Sequence, residues 1–200
     1  HSLTLLVGNA TMWFHKRKYV SFHWAISLNI IKHVKGTVSL FIPQIAASVY
    51  TVLDKTMLGY FASTTQVGYY SQSEKIVKVA MTIVTSMGVV MLPRVSRLFA
   101  EKNEKAIEDS IYKSARFVYF IASPIVFGLI AIVNIFVPWF YGFGYDAVKI
   151  LIPIISPIIM IIGLSNVVGT QYLVPAKKQK EYTISICCGS AVNLVLNALL

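Results

Sequence analysis

The sequence predicts an all-α polytopic membrane protein, a bundle of membrane-spanning helices. Three observations predict this class: 56% of the 200 residues are hydrophobic, only 13% are charged, and the mean hydropathy is +0.67. So few charged side chains cannot cover the surface of a soluble domain of this length. Because lipid offers the backbone no hydrogen-bonding partner, such segments cross a bilayer as helices.

The apolar residues fall into six segments, and the four complete ones have the length of a membrane span. A helix rises about 1.5 Å per residue, so about 20 residues cross a hydrocarbon core of roughly 30 Å. We expect the chain to be a fragment of a longer polytopic protein, because residue 1 is His and the last apolar run is cut short. The segments are 1–14, 37–58, 76–93, 117–140, 150–174 and 182–200.

The positive charges predict the orientation of these segments. Lys and Arg residues number five, one, six, one and three in the successive connections. Connections rich in positive charge face the cytoplasm. The net charge of +10 is then mainly topological, which disfavours nucleic acid as a partner. The sequence predicts cytoplasmic connections at 15–36, 94–116 and 175–181, and external ones at 59–75 and 141–149.

Two cytoplasmic connections have a pattern of their own. In the third connection, Glu101 precedes Lys105 and Asp109 precedes Lys113 by four residues, which predicts a helix with two ion pairs leading into the fourth segment. The stretch 19–36 mixes aromatic and branched apolar residues with Lys and His, which favours a segment along the inner membrane surface. A loosely ordered basic linker remains the alternative for that stretch.

Sequence motifs of catalysis do not occur, which disfavours an enzyme. The four histidines lie within the first 33 residues, without a His-Glu-x-x-His pattern, a phosphate-binding loop or a nucleophile elbow. Cys187 and Cys188 are adjacent on a predicted helix and point in different directions, which suits neither a metal site nor a disulfide. We therefore predict no catalytic residue, no metal site and no cofactor.

A polar stripe runs along the second segment, beside the adjacent acid and base Asp54 and Lys55. Gln44, Ser48, Thr51 and Lys55 fall within roughly 60° of one helix face. A lysine at mid-bilayer costs about 2.5–3.5 kcal/mol on insertion scales, so it normally faces a partner, a cavity or the interface. We favour a cavity, with Asp54 as a counter-charge for Lys55 or for a neighbouring helix. The alternative is that the long Lys55 stem reaches the outer headgroups.

Three further segments have a polar seam, and four such seams predict a shared hydrated cavity. Proline pairs such as Pro153 and Pro157 predict bends, which suit a transporter but also occur in other membrane proteins. The seams are Lys75, Lys78, Thr82, Thr85 and Ser86 on the third segment, Ser156, Gly163, Asn166 and Thr170 on the fifth, and Ser190, Asn193 and Asn197 on the sixth.

Four blocks of sequence carry a family resemblance. They read FIPQIAASVYTVLDKTMLGYF, VGYYSQSEKIVKVAMTIVTSMGVVMLPRVSRLFA, FVPWFYGFGYDAVKILIPIISPIIMIIGLSNVVGTQYLVP and EYTISICCGSAVNLVLN. Together they resemble the Wzx-type flippases for lipid-linked oligosaccharide repeat units, in the multidrug/oligosaccharidyl-lipid/polysaccharide exporter superfamily. That fold has two times six helices. The resemblance implies that residues 1–36 are the end of the sixth membrane helix plus a basic cytoplasmic linker. Residues 37–200 would then begin the C-terminal half-bundle, with helices seven to eleven and the last one truncated.

The resemblance also implies a function. It is the transport of undecaprenyl-pyrophosphate-linked oligosaccharide repeat units across the bacterial cytoplasmic membrane, for capsule, exopolysaccharide or O-antigen biosynthesis. The implied partners are this lipid-linked oligosaccharide, membrane lipid, and the polysaccharide polymerase and chain-length proteins. Cationic side chains in the cavity would suit the pyrophosphate, and amides would suit sugar hydroxyls. The candidate substrate-binding residues are Lys55, Lys78, Arg94, Gln44, Thr51, Asn166, Gln171, Asn193 and Asn197.

Two other function classes stay open. A cation-coupled drug exporter shares the fold but is expected to offer carboxylates in its cavity, whereas Asp54 is the only acid within a predicted span. A membrane polysaccharide polymerase, an enzyme, is expected to have a large external loop. The predicted external connections have only about 17 and 9 residues. Both features favour the flippase.

Overall fold

The structure, a computed structural model, describes residues 9, 11, 41, 45, 48, 49 and 51–199. The chain divides into two compact units, His1–Gly36 and Thr37–Leu200. In the first unit the described residues, 9 and 11, are helical. The predicted surface segment at 19–36 and the candidate residue Gln44 lie outside the described residues.

The second unit is built of helices joined by short turns. Helix α1 covers 51–61, and the described residues 41, 45, 48 and 49 are helical as well. No described residue lies in a strand, so the predicted all-α class is confirmed. The later elements are α2 (Thr64–Ala100), α3 (Glu104–Tyr141), α4 (Asp146–Ile155), α5 (Ile158–Asn166), a π-helix (Val167–Leu173) and α6 (Gln179–Leu199).

Within the described part of the chain, three helical stretches are long and apolar enough to cross a membrane. They are α2, α3 and the continuous stretch Asp146–Leu173, which is formed by α4, α5 and the π-helix. These stretches contain the predicted segments 76–93, 117–140 and all but the last residue of 150–174. The chain is therefore a polytopic membrane protein, as the sequence predicted.

Both α2 and α3 are longer than the spans predicted from hydropathy. The expected connection 59–75 is not a loop but mostly helical, because α2 already begins at Thr64, where the Ser63 hydroxyl accepts a 3.3 Å hydrogen bond from the Gln66 N–H. The expected connection 94–116 shrinks to the turn 101–103. Hydropathy marks where lipid ends, whereas helical hydrogen bonds continue into flanks that water surrounds. A helix of this length is about 55 Å long, beyond the core of about 30 Å.

One of the two predicted ion pairs near this turn is present. Lys113 Nζ lies 2.7 Å from Asp109 Oδ2 on α3. The predicted pair of Glu101 with Lys105 is wrong, because Glu101 follows the last residue of α2 and lies 2.7 Å from Arg97 instead. The turn separates Glu101 from Lys105, so the four-residue spacing does not place them on one helix.

The three spans pack through small side chains. Valines such as Val84 and Val118 are buried between the helices, whereas Phe120 and Phe127 are exposed on the outside. At Gly163 an added Cβ would lie 2.7 Å from a methyl group of Val118 and 2.8 Å from one of Val84. Small residues let the backbones of membrane helices approach closely. Packing contacts then hold the helices together, because lipid provides no hydrophobic driving force between them.

The third span is not a regular α-helix. It is interrupted at Ser156 and Pro157, between α4 and α5. This agrees with the bend predicted from Pro153 and Pro157, since a proline lacks the N–H that the helix needs. A second irregularity, the π-helix Val167–Leu173, was not predicted.

Candidate substrate-binding cleft

Asp54 and Lys55, the adjacent acid and base of α1, contact two different helices. Successive residues of a helix point about 100° apart. Lys55 Nζ lies 2.7 Å from Glu74 Oε2 on α2. Asp54 Oδ1 accepts a 2.6 Å hydrogen bond from Asn197 Nδ2 on α6. Asp54 and Lys55 therefore connect α1 to α6 and to α2 at the same height along α1.

Glu74 joins two candidate residues, Lys55 and Lys78. Its second carboxylate oxygen, Oε1, lies 2.7 Å from Lys78 Nζ, one helical turn further along α2. The Glu74 side chain is 14% exposed, compared with 34% for Lys55 and 49% for Lys78. The structure thus brings Lys55 and Lys78 to the same carboxylate. In this cluster of three charged side chains, Glu74 is the least exposed.

Glu74 corrects one expectation from the sequence. The counter-charge of Lys55 is Glu74 rather than Asp54. Glu74 lies in the helix α2, in the part that precedes the predicted apolar segment 76–93. Sequence reasoning missed Glu74 because it assigned this residue to an external connection. A usable signal was present, since Tyr70, Glu74 and Lys78 recur every four residues and therefore share a helix face.

Two adjacent hollows lie beside this cluster, and we call them together the polar cleft. The larger, of about 730 Å³, is lined by Asp54 and Tyr70 and by the amides Asn193 and Asn197, together with apolar side chains. The smaller, of about 130 Å³, shares Asp54 and Tyr70 with the larger. It is also lined by Thr51, Glu74 and Lys78, and by the isoleucines Ile155, Ile158 and Ile162 of the third span.

The formal charges around the polar cleft cancel. Two ammonium groups, on Lys55 and Lys78, stand against the carboxylates of Glu74 and Asp54. An uncompensated charge is costly inside an apolar bundle, and a paired one much less so. In a low-dielectric setting each of these charges still acts strongly on any ion that enters.

The cleft lies near a cluster of tyrosines at one end of the bundle. The Tyr69 hydroxyl donates a 3.0 Å hydrogen bond to the Gly144 carbonyl. The Tyr145 ring packs against Tyr141 and Tyr69, with ring centroids 5.0 Å and 5.8 Å away. Tyrosine is enriched where a membrane meets water. The ion-pair cluster, about one turn further along α2 from Tyr70, is therefore close to an interface.

Five candidate residues are not among those that line the polar cleft. Lys55 is one of them, and it lies beside the cleft through its contact with Glu74, which lines the smaller hollow. Gln44 is outside the described residues, and Arg94 is exposed on α2. Asn166 and Gln171 lie on the third span, where Gln171 Nε2 donates a 3.4 Å hydrogen bond to Asn166 Oδ1. Gln171 is buried, and its Oε1 has no partner within the described part of the chain.

The hydroxyl groups of the α2 seam bond to the backbone of their own helix. Thr82 donates to the Lys78 carbonyl at 2.9 Å, and Ser86 to the Ile83 carbonyl at 2.7 Å. Thr85 does the same with the Met81 carbonyl at 3.2 Å. Such bonds satisfy a hydroxyl inside a helix, so this part of the seam does not require a hydrated cavity.

Long apolar helices around a charge-balanced polar cleft define a polytopic membrane protein with a polar interior. Sequence comparison then gives the family, because the profile of the polysaccharide biosynthesis protein family matches residues 3–150. The chain belongs to this family, which confirms the resemblance found in the sequence.

A curated relative agrees with this family. It is the Escherichia coli (strain K12) protein named "Putative O-antigen transporter", which is 26% identical over 168 residues. The match covers 84% of this chain but only 40% of the relative, so the chain spans about two fifths of the relative's length. No solved structure matches the chain.

Proposed function

We propose that this chain is part of a flippase that moves undecaprenyl-pyrophosphate-linked oligosaccharide repeat units across the bacterial cytoplasmic membrane. The product would supply capsule, exopolysaccharide or O-antigen biosynthesis. The family and the name of the relative support a role in polysaccharide transport. The observation that carries the proposal is the convergence of Lys55 and Lys78, from two helices, beside the amides of Asn193 and Asn197.

We assign a different group of side chains to each part of this substrate. The two ammonium groups bind the pyrophosphate, since a lysine offers several donors and a full charge. Asn193, Asn197 and Thr51 contact sugar hydroxyls, because amide and hydroxyl groups both donate and accept hydrogen bonds. The lipid tail stays in the bilayer, and the polysaccharide polymerase and chain-length proteins take over the exported unit.

The proposal also assigns the chain its place in the exporter. Residues 37–200 begin the C-terminal half-bundle of a two-times-six-helix fold, as helices seven to eleven. Residues 1–36 are the end of the sixth helix and the cytoplasmic linker. The other half supplies the opposite wall of the cavity. On the wall formed by this chain, further candidates for substrate contact are Arg94, Asn166, Gln171 and Gln44.

Substitution of the two lysines in the full-length protein tests this function. Lys55→Ala and Lys78→Ala should each lower repeat-unit export about tenfold or more, the loss expected for one charge-assisted contact. Lys55→Arg should keep part of the activity. The matched control is Lys149→Ala, which removes an ammonium group 2.6 Å from Asp146 but outside the cleft. Normal export by Lys55→Leu at equal protein level would refute the role of Lys55.

A cation-coupled drug exporter is a second candidate, favoured by the two carboxylates at the polar cleft. Such a protein would need Asp54 and Glu74 to bind protons, metal cations or cationic drugs, and would not need the lysines. It should confer resistance to cationic drugs that Asp54→Asn and Glu74→Gln abolish. Substitution of Lys55 or Lys78 should leave that resistance intact, which is the opposite of the pattern expected for the flippase.

A further inference from the structure

Glu74 contacts two ammonium groups from different helices at once, as a bound anion would. Its two carboxylate oxygens each lie 2.7 Å from one ammonium group, Lys55 Nζ on α1 and Lys78 Nζ on α2. A phosphate group between two lysines would make the same kind of contacts. The lysines that the proposed function assigns to the substrate are thus already paired within the chain.

We infer that Glu74 is a displaceable counter-anion, which pairs with Lys55 and Lys78 in the empty transporter and gives way to the diphosphate of the ligand. This inference rests on the proposed function. A carboxylate has one negative charge and two oxygens, whereas a diphosphate has more of both and bridges the same two ammonium groups more strongly. Ligands with a weaker charge do not displace the carboxylate, so Glu74 sets the selectivity of the site.

The exposure of the cluster gives the ligand a route. Lys55 and Lys78 are 34% and 49% exposed, and Glu74 only 14%. A diphosphate that enters the cleft therefore contacts Lys78, which lines it, and the partly exposed Lys55 ammonium group next to Glu74, before the carboxylate has to leave. The exchange is gradual, and at no stage are the two lysines left without an anion.

Displacement also changes what holds α1. The contact of Lys55 with Glu74 ties α1 to α2, while the hydrogen bond of Asp54 with Asn197 ties α1 to α6. A ligand that replaces Glu74 exchanges the first tie for a bridge through the diphosphate, from Lys55 on α1 to Lys78 on α2, and leaves the second tie unchanged. A ligand can shift a conformational equilibrium only if its contacts differ between the two conformations. Because the contact between α1 and α2 differs with and without ligand, binding is coupled to the position of α1 against α2.

The test measures the binding of farnesyl diphosphate to the full-length protein in detergent. Glu74→Gln should bind this probe about tenfold more tightly than the wild type, because a competing charge beside two ammonium groups is removed. It should also bind farnesyl monophosphate, which the wild type binds weakly. The matched control is Asp109→Asn, which removes an ion pair of the same four-residue spacing with Lys113 outside the cleft.

The outcomes separate this inference from the proposed function. If Lys55→Gln and Lys78→Gln leave probe binding unchanged, the substrate site itself is wrong. If both weaken binding while Glu74→Gln binds no more tightly than the wild type, only the displacement of Glu74 is wrong. A merely structural role predicts weaker binding in Glu74→Gln. If Glu74→Gln folds poorly, Glu74→Asp is the deciding variant. Its shorter side chain cannot bridge both lysines, so Glu74→Asp should also bind the probe more tightly than the wild type.

Discussion

At the scale of single residues, Asp54 and Lys55 are tolerated in an apolar helix because each has a partner on another helix. An unpaired lysine at mid-bilayer costs about 2.5–3.5 kcal/mol on insertion scales. Here the ammonium group meets Glu74 at 2.7 Å, and the Asp54 carboxylate meets the Asn197 amide at 2.6 Å. Each of these partly buried groups is thus compensated by a specific partner, and exchanging the partners tests this directly.

Exchanging Asp54 and Asn197 should preserve their contact. Asn197→Asp alone places two carboxylates at the distance of a hydrogen bond, and should cost about 1–3 kcal/mol by leaving a partly buried acceptor without a donor. The double variant Asp54→Asn with Asn197→Asp restores one donor and one acceptor. We expect it to recover the thermal stability that Asn197→Asp loses, as measured on full-length protein in detergent. A double variant as unstable as Asn197→Asp would contradict the pairing.

The sequence allowed part of this site to be predicted. The spacing on α1 and α6 identified Lys55, Thr51, Asn193 and Asn197 as polar positions of apolar helices, and the structure places all four at or beside the polar cleft. Their partners could not be derived, because a spacing rule relates residues of one helix only. Glu74 belongs to a different helix from Lys55, and only the packing of α1 against α2 joins them.

At the scale of helices, the positions of the spans were predictable and their ends were not. Hydropathy located α2 and α3, because lipid-facing side chains must be apolar along the whole core. The ends depend on individual caps such as Asn103, whose side chain accepts a 3.1 Å hydrogen bond from the Ala106 N–H, and Gly142, which has φ 79°. The π-helix contains a close contact between elements, since an added Cβ at Gly169 would lie 2.7 Å from the Tyr182 ring, and spacing within one helix does not reveal such a contact.

Helix packing gives a prediction at Gly163. Gly163→Ala should destabilise the bundle by about 1–3 kcal/mol, the usual cost of overpacking, because Val84 and Val118 leave no room for a methyl group. The matched control is Gly128→Ala on α3, where an added Cβ meets no atom within 4 Å. Thermal unfolding of the full-length protein should show a loss for Gly163→Ala, and no loss for Gly128→Ala, since alanine favours a helix over glycine. Equal stability of the two variants would contradict the close packing.

At the scale of the whole molecule, the positive charges predict the direction of the spans. Lys and Arg alternate between rich and poor connections along the sequence, which predicts the side of the membrane for each. The structure supplies the connections themselves, the turn 101–103 before α3 and the stretch 142–145 after it. Since α3 has 38 residues and is about 57 Å long, these two connections lie at opposite ends of one span.

The two ends of α3 should therefore react from opposite sides of the membrane. In full-length protein lacking Cys187 and Cys188, Glu104→Cys should react with an impermeant thiol reagent only after the cells are opened, because the basic residues around it favour the cytoplasm. Phe143→Cys should react in intact cells, since the Phe143 side chain is fully exposed beyond the end of α3. Reaction of position 104 from outside would overturn the orientation. Reaction of both positions from the same side would contradict α3 as a membrane span, whatever the orientation of the remaining helices.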